Sequence, residues 1–256
     1  MVCMNLKSQE QVKHNSKLYN RIMRRNHYQQ LIDNGLIFHA PLITDSTDII
    51  GGKTSVVEAV SYSSDGAYFD TNNKYKYLAY QLTESEFKSV KTIYAEFYRT
   101  TSKYSTETVY LLGGVVGPLY NYNSNYEGVC RNYRDIWHDL DCMSAKYSAT
   151  QISDWRYDFD ANSNTSVSTN TWHKGVSCTY STRQFLYLDG TKDFERNNTD
   201  TFQNYDFTTK NHTGLYLFVG GRVQQNEKMF EGYIRNVMMF NKEFTDAELA
   251  AMTSLI

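Results

Sequence analysis

The chain has 256 residues, 41% of them hydrophobic and 21% charged, with a net charge of −2; this is the make-up of a globular protein and excludes a disordered or low-complexity chain. Only two prolines and 14 glycines occur, which excludes a linker-rich sequence, and no apolar run approaches the length of a membrane span. Aromatic residues reach 15% and 22 of them are tyrosines, a residue type that favours strands and supplies flat, amphipathic contact surfaces.

Composition changes near Asn34-Gly35. Residues 1–34 carry Lys7, Lys13, Lys17, Arg21, Arg24 and Arg25 against Glu10 and Asp33, a net +4 that leaves −6 for the remainder. The stretch is rich in helix formers. Leu18, Tyr19, Ile22 and Met23 form one apolar patch, and Tyr28, Leu31 and Ile32 a second at helical spacing. Gly35 is a good C-terminal stop. A helical arm over 7–34 is expected, with a domain boundary between 34 and 35. Its stripe is too short and irregular for a coiled coil, so docking onto the body or a partner protein is expected. A basic arm could meet nucleic acid, but no basic-aromatic motif supports that reading. The start MVCMNLKSQEQVKHN lacks the apolar segment of a secretory signal, so synthesis without export is expected. Cys3, Cys130, Cys142 and Cys178 then read as thiols with no zinc spacing, although Cys130 and Cys142 could pair. The sequons at Asn164, Asn197 and Asn211 read as loop chemistry.

From residue 35 the chain reads as strands. GLIFHAPL is a short apolar run, and TSVVEAVSYSSDGAYFD reads as strand, Asp-Gly turn and strand. VKTIYAEFYRT alternates, with Val90, Thr92, Tyr94, Glu96 and Tyr98 on one side and Ile93, Ala95 and Phe97 on the other. TVYLLGGVV, RQFLYLDGTKDF and GLYLFVGGRV are further strand runs, the second holding an Asp189-Gly190 hairpin signal. Residues 117–170, rich in Asn, Ser, Tyr and Asp, fit long loops or weak strands. In MFEGYIRNVMMFNKEFTDAEL, alternation places Phe230, Gly232, Ile234, Met238 and Phe240 on one face, interrupted by Asn236, and Tyr233, Arg235, Val237 and Met239 on the other. Thr245 and Glu248 then form a capping box that starts a short C-terminal helix. The pattern predicts an all-β fold, an antiparallel β-sandwich or jelly roll.

Five segments in order resemble the concanavalin A-like lectin/glucanase superfamily, in its laminin-G-like and pentraxin-like branch. They are GLIFHAPL (35–42), DGAYFD (65–70), TWHKGVSCTYSTRQFLYLDGTK (171–192), LYLFVGGR and FEGYIRNVMMFNKEFTDAEL. The resemblance implies two antiparallel sheets of about six or seven strands over 35–256, and leaves the arm outside. It assigns Trp172, at the head of its strand, a structural role in the core.

Glucanases with this fold place paired carboxylates on one strand as Glu-x-Asp-x-x-Glu. That motif is absent; the nearest acids are Asp135, Asp139 and Asp141, and no G-x-S-x-G elbow is present. A non-enzymatic role is therefore expected. Many relatives bind calcium, which needs several hard oxygen ligands. Asp45 and Asp48 after the first strand, and Asp158 and Asp160, are the candidates, with turn formation as the simpler use of such Asp residues. No other cofactor is expected. Glycan binding needs exposed aromatic faces beside amides or charges. YNYNSNYEGVCRNYRDIWHD supplies Tyr120, Tyr122, Tyr126, Tyr133 and Trp137, and DWRYDFD adds Trp155 and Tyr157; the same residues fit strand and core aromatics equally well.

Lectin-like domains joined to a short basic helical arm recur among bacteriophage structural proteins. The resemblance thus implies a virion protein of head, fibre or tail, attached to other virion proteins through residues 1–34 and exposed toward surface polysaccharide. A homo-oligomer is expected. A free-standing bacterial carbohydrate-binding protein and a diverged polysaccharide depolymerase are the alternatives.

Overall fold

The computed structural model describes residues 29–56, 60–70, 77–100, 109–116, 131–139, 142–150, 158–180, 183–197, 215–220 and 230–254. The chain divides into two compact units, 1–36 and 37–256. In the first, residues 29–33 are helical. Asn34 and Gly35 donate back to Gln30 and Ile32, and Gly35 takes φ +81°, the left-handed stop expected of a glycine there. The rest of the expected arm lies outside the described residues.

The second unit is built from two antiparallel sheets. The larger has eight strands: β1 (Leu36–Ala40), β2 (Ser61–Ser63), β3 (Gly66–Phe69), β5 (Thr92–Arg99), β10 (Trp172–Thr179), β11 (Arg183–Leu188), β12 (Thr191–Asn197) and β14 (Gly232–Phe240). Its order is β12-β11-β10-β5-β14-β3-β2, with β1 also on β14. The smaller is β4 (Leu78–Leu82), β13 (Leu215–Val219), β6 (Val109–Val116), β7 (Arg131–Asp139), β8 (Cys142–Thr150) and β9 (Asp158–Ser166), in that order. Among the described residues the counts are eight and six where about six or seven each were expected. Residues 117–170 contribute three nine-residue strands, β7 to β9. Besides the C-terminal helix Asp246–Thr253, a six-residue helix Glu84–Ser89 precedes β5, started by a second capping box of Thr83 and Glu86. None of the described helices is long and apolar enough to cross a membrane.

Both sheets feed one core. Phe38, Ala67, Phe69, Ile93, Ala95, Phe97, Leu186, Ile234, Val237 and Met239 from the larger sheet join Leu78, Tyr80, Leu82, Leu217 and Val219 from the smaller. Phe38 meets Tyr80 edge to face at 4.9 Å, and Phe230 touches both Phe69 and Phe97. Truncating such a buried ring costs about 3–5 kcal/mol, so this packing outweighs any single cap or surface pair. In β5 the inward residues are Ile93, Ala95 and Phe97, as alternation predicts.

Strand β14 departs from simple alternation. Its register on β5 runs Tyr233↔Tyr98, Ile234↔Phe97, Arg235↔Glu96, then Met238↔Tyr94. Asn236 and Val237 thus share the span of Ala95, a bulge in which one extra residue is accommodated. Asn236 takes φ +50°, a conformation Asn tolerates better than most side chains. The bulge inverts the parity of the residues beyond it. Val237 and Met239 join Ile234 in the core, while Met238 and Phe240 fall on the outer face with Tyr233 and Arg235. This corrects the face assignment drawn from alternation, which had no means of counting the extra residue. Gly232 begins the strand at φ +143°, where a Cβ would collide with the Tyr98 carbonyl; only glycine lets the two strands approach so closely.

Glu96 holds the bulge. Its Oε2 accepts from Arg235 Nε at 2.7 Å, and its Oε1 accepts from Asn236 Nδ2 at 3.1 Å and Tyr94 Oη at 2.9 Å. Burial pulls the Glu96 carboxyl upward in pKa, but the hydrogen bonds from Arg235, Tyr94 and Asn236 outweigh it and hold it below the ordinary glutamate value. Burial and the neighbouring Glu96 charge raise the Tyr94 hydroxyl, keeping it a donor.

Because the folded carboxyl is depressed, Glu96 stabilises the fold fully above the ordinary value of 4.5 and loses that contribution as pH falls through its folded pKa. Urea melts across that acid range should show Glu96→Gln less stable than the parent at neutral pH, with the gap narrowing on acidification. Equal gaps at all pH values would contradict this. At the other end of the unit, Thr245 Oγ1 accepts from Glu248 N and Glu248 Oε2 accepts from Thr245 N. The Thr245 backbone bond and the Lys242 ammonium bring the Glu248 carboxyl down to about 2. Thermal melts of Thr245→Ala should show a loss of about 1 kcal/mol, or about 2–4 °C in Tm.

Candidate functional site

The outer face of the larger sheet, opposite the core, splits into two halves. Toward one end, Thr92, Cys178 and Phe240 are aligned across β5, β10 and β14 and are fully covered. The segment before the C-terminal helix covers them. Phe244 packs edge to face on Phe240 at 5.1 Å, the Phe244 amide donates to Tyr180 Oη at 2.6 Å, and Thr92 Oγ1 donates to Lys242 O at 3.2 Å. Burial raises the Tyr180 hydroxyl, so it stays protonated.

Toward the other end the face is partly exposed and aromatic. In register across β3, β14, β5 and β10 stand Tyr68, Tyr233, Tyr98 and Trp172. Each is the outward neighbour of an inward residue: Phe69, Ile234, Phe97 and His173. Ring centroids are separated by 4.8 Å for Tyr68–Tyr233, 6.1 Å for Tyr233–Tyr98 and 5.7 Å for Tyr98–Trp172, the spacing of favourable tilted and edge contacts. All four are partly exposed. The next row is polar, with Arg235, Glu96 and Lys174 aligned across β14, β5 and β10. The Arg235 guanidinium lies 3.8 Å from the centroid of the Trp172 ring, a cation–π contact, and its Nε is bound to Glu96. Lys174 Nζ donates to Ser254 O at 2.7 Å.

A four-ring strip edged by a fixed guanidinium is a surface suited to flat, apolar faces ringed by hydroxyls, which is the character of a sugar. Sequence reasoning missed it as a unit. Trp172 heads its strand as expected, but it stands on the outer face, which corrects the core role assigned to it. The physical reason is parity: His173, not Trp172, points inward against Phe97. The available signal was alternation, which already placed Tyr98 with Glu96 and Tyr233 with Arg235.

Of the aromatic residues expected to bind glycan, Trp137 lies on β7 in register with Tyr110 and Ser144. Tyr120, Tyr122, Tyr126 and Trp155 lie outside the described residues, as does Asp141. Asp45 and Asp48 have other work. Asp48 is fully buried; its Oδ1 accepts from the amides of His39 at 2.8 Å and Ile50 at 3.0 Å, and its Oδ2 from Gly51 at 2.8 Å. Asp45 accepts from the Thr47 amide at 2.7 Å and from Thr44 Oγ1 at 3.2 Å. Both carboxylates thus accept turn amides, the simpler use of such residues. Among the described residues no group of three or more His, Cys, Asp or Glu converges as a metal site.

One further array was not expected. His173 Nδ1 lies 2.6 Å from Asp189 Oδ2, and His173 Nε2 lies 3.1 Å from Ser168 Oγ. This is the order of a Ser-His-Asp triad. The same Nε2 is also 3.1 Å from the Ser168 carbonyl, and the imidazole is buried against Phe97. Asp189 and Gly190 both have positive φ, as the tightest hairpin turn requires, and Asp189 Oδ1 accepts from the Lys174 amide at 2.8 Å. The array ties the loop before β10 to the β11–β12 hairpin.

Several known proteins share this architecture. The CBM40 module of the Ruminococcus gnavus IT-sialidase, bound to α2,3-sialyllactose, is 16% identical over 69% of this chain and 92% of that one, with a TM-score of 0.50. Trypanosoma rangeli sialidase as the covalent intermediate with 2,3-difluorosialic acid is 15% identical, with 84% of this chain on 32% of that one and a TM-score of 0.58. The same enzyme with sialic acid gives 15% identity, the same coverage and 0.57. At these identities the likeness is one of fold, and the chain spans about a third of the sialidase length. No curated protein matches the chain. The laminin-G-type family model described as the concanavalin A-like lectin/glucanases superfamily matches residues 81–250. With its two packed antiparallel sheets and capped closing helix, the chain belongs to the concanavalin A-like lectin/glucanase superfamily.

Proposed function

We propose that the chain is a non-enzymatic, glycan-binding β-sandwich, carried on a bacteriophage particle and attached through residues 1–34. The observation that carries the binding role is the strip of Tyr68, Tyr233, Tyr98 and Trp172, partly exposed on the outer face and edged by Arg235. Membership in a lectin-containing superfamily supports it. So does the fold shared with a module that holds sialyllactose. The particle setting is supported by the basic stretch ahead of the sandwich, and the Tyr-rich, Pro-poor composition fits a virion surface protein. In this setting the protein is made in the host cytoplasm, assembles as a homo-oligomer and faces surface polysaccharide. A hydrolytic reading has one array in its favour, Ser168–His173–Asp189.

A glycan array probed with the full chain should show a defined set of bound saccharides, and Tyr98→Ala should weaken them about tenfold, the loss of about 1.4 kcal/mol. Uniformly blank arrays would reduce the sandwich to a scaffold. Deleting residues 1–34 should abolish incorporation into particles while glycan binding persists; retained incorporation would refute attachment through that stretch, and absence of the full chain from particles would favour the free-standing carbohydrate-binding protein. Release of reducing ends from polysaccharide, abolished by Ser168→Ala, would replace the non-enzymatic reading with the hydrolytic one.

A further inference from the structure

Arg235 is held on one side and open on the other. A guanidinium carries five N–H donors in a planar fork. In Arg235 the single Nε–H is given to Glu96 at 2.7 Å, and among the described residues no hydrogen bond engages Nη1 or Nη2. The side chain is nonetheless ordered by its surroundings. Its Cζ lies 3.8 Å from the Trp172 ring centroid, and its partner Glu96, only 13% exposed, is itself held by Tyr94 and Asn236. Arg235 retains 30% exposure. Two adjacent donors in a fixed plane match the two oxygens of a carboxylate, and little side-chain freedom is lost on binding because the fork is already placed.

The position of this fork matters as much as its chemistry. Arg235 and Tyr233 are alternate residues on one face of β14, about 6.6–6.8 Å apart along the strand, on the scale of one pyranose ring. A ring seated on Tyr233 and Tyr98 therefore brings a ring substituent within reach of the Nη groups. The charge in that row favours an anion: Arg235 and Lys174 flank a single carboxylate, Glu96, whose oxygens already accept three hydrogen bonds.

We infer that the ligand of this strip is an acidic saccharide whose carboxylate is read by Arg235. This rests on the glycan-binding reading above and narrows it to sugars bearing a carboxylate on or beside the ring. Hexuronates and nonulosonates share that chemistry.

Calorimetry of the full chain with matched pairs tests it: tri-galacturonate against galactotriose for the first source, α2,3-sialyllactose against lactose for the second. In at least one pair the acidic member should bind about tenfold or more tighter than its neutral counterpart at low ionic strength. Arg235→Gln should bring the acidic member to the affinity of the neutral one, and Tyr98→Ala should weaken both. The acid-to-neutral comparison uses the unmodified protein, so the inference stays testable if Arg235→Gln folds poorly. Equal binding within both pairs would overturn the role of Arg235 while leaving the glycan-binding reading intact, and so would preference for a sulfated over a carboxylated saccharide. Absence of binding by all these sugars and by a broad neutral array would remove both.

Discussion

Strand β14 must satisfy two surfaces at once, and the bulge anchored on Glu96 is what permits it. Ile234, Val237 and Met239 are all needed in the core, yet Ile234 and Val237 are three apart and would face opposite ways in a regular strand. Inserting Asn236 in a left-handed conformation realigns them. The cost of keeping a carboxylate in this half-buried place is offset because both of its oxygens are bonded, to Arg235, Asn236 and Tyr94. The same step leaves Tyr233 and Arg235 outward, in line with Tyr98, Glu96 and Trp172. Core and outer strip are thus two results of one irregularity, and a one-residue slip of β14 would disrupt both.

The outer face also shows how one sheet surface can be divided between stability and contact. Phe244, Tyr180 and the capped helix convert one half into a second, smaller buried layer. The other half keeps its aromatics partly exposed, although water contact on such rings is unfavourable for folding. Fold membership does not choose a function; a partly exposed aromatic row beside a covered one is a feature of the site itself. The Ser168–His173–Asp189 array illustrates the reverse. Its order invites a catalytic reading, while its buried ring and shared acceptor describe a fastening between a loop and a hairpin.

Much of the architecture could be read from the residues. The alternation of TIYAEFYR, the Asp189-Gly190 turn and the Thr245–Glu248 cap each express a local rule, and each is found in place. Three features were missed or left open. In sequence, strands β7 to β9 fit long loops or weak strands, because they are rich in Asn, Ser, Asp and Tyr and strand preference in such segments comes from neighbours across the sheet more than from composition. The Thr83–Glu86 cap starts a helix of six residues, too short to show a helical stripe. The β14 bulge inserts a residue that alternation cannot register, though Asn236 interrupting an apolar strand was its visible trace. The candidate site was legible only in pieces. Tyr68, Tyr98, Trp172 and Tyr233 come from four strands that are not consecutive in the chain, whereas a local cluster such as residues 120–137 draws attention because it is dense in sequence. Density along the chain and adjacency across a sheet are different properties, and strand order decides the second.

That strand order has a consequence for synthesis. β14 is the last strand in the sequence but lies inside its sheet, between β5 on one side and β3 and β1 on the other. At about 5–20 residues per second, the ribosome needs on the order of ten seconds to travel from the end of β5 to the end of β14. Throughout that interval β5 and β3 each present an unfilled row of backbone donors and acceptors, the kind of edge on which chains pair wrongly. The nascent protein therefore waits with a gap in its sheet, and its passage to the native state depends on keeping that gap clear until its own closing strand arrives.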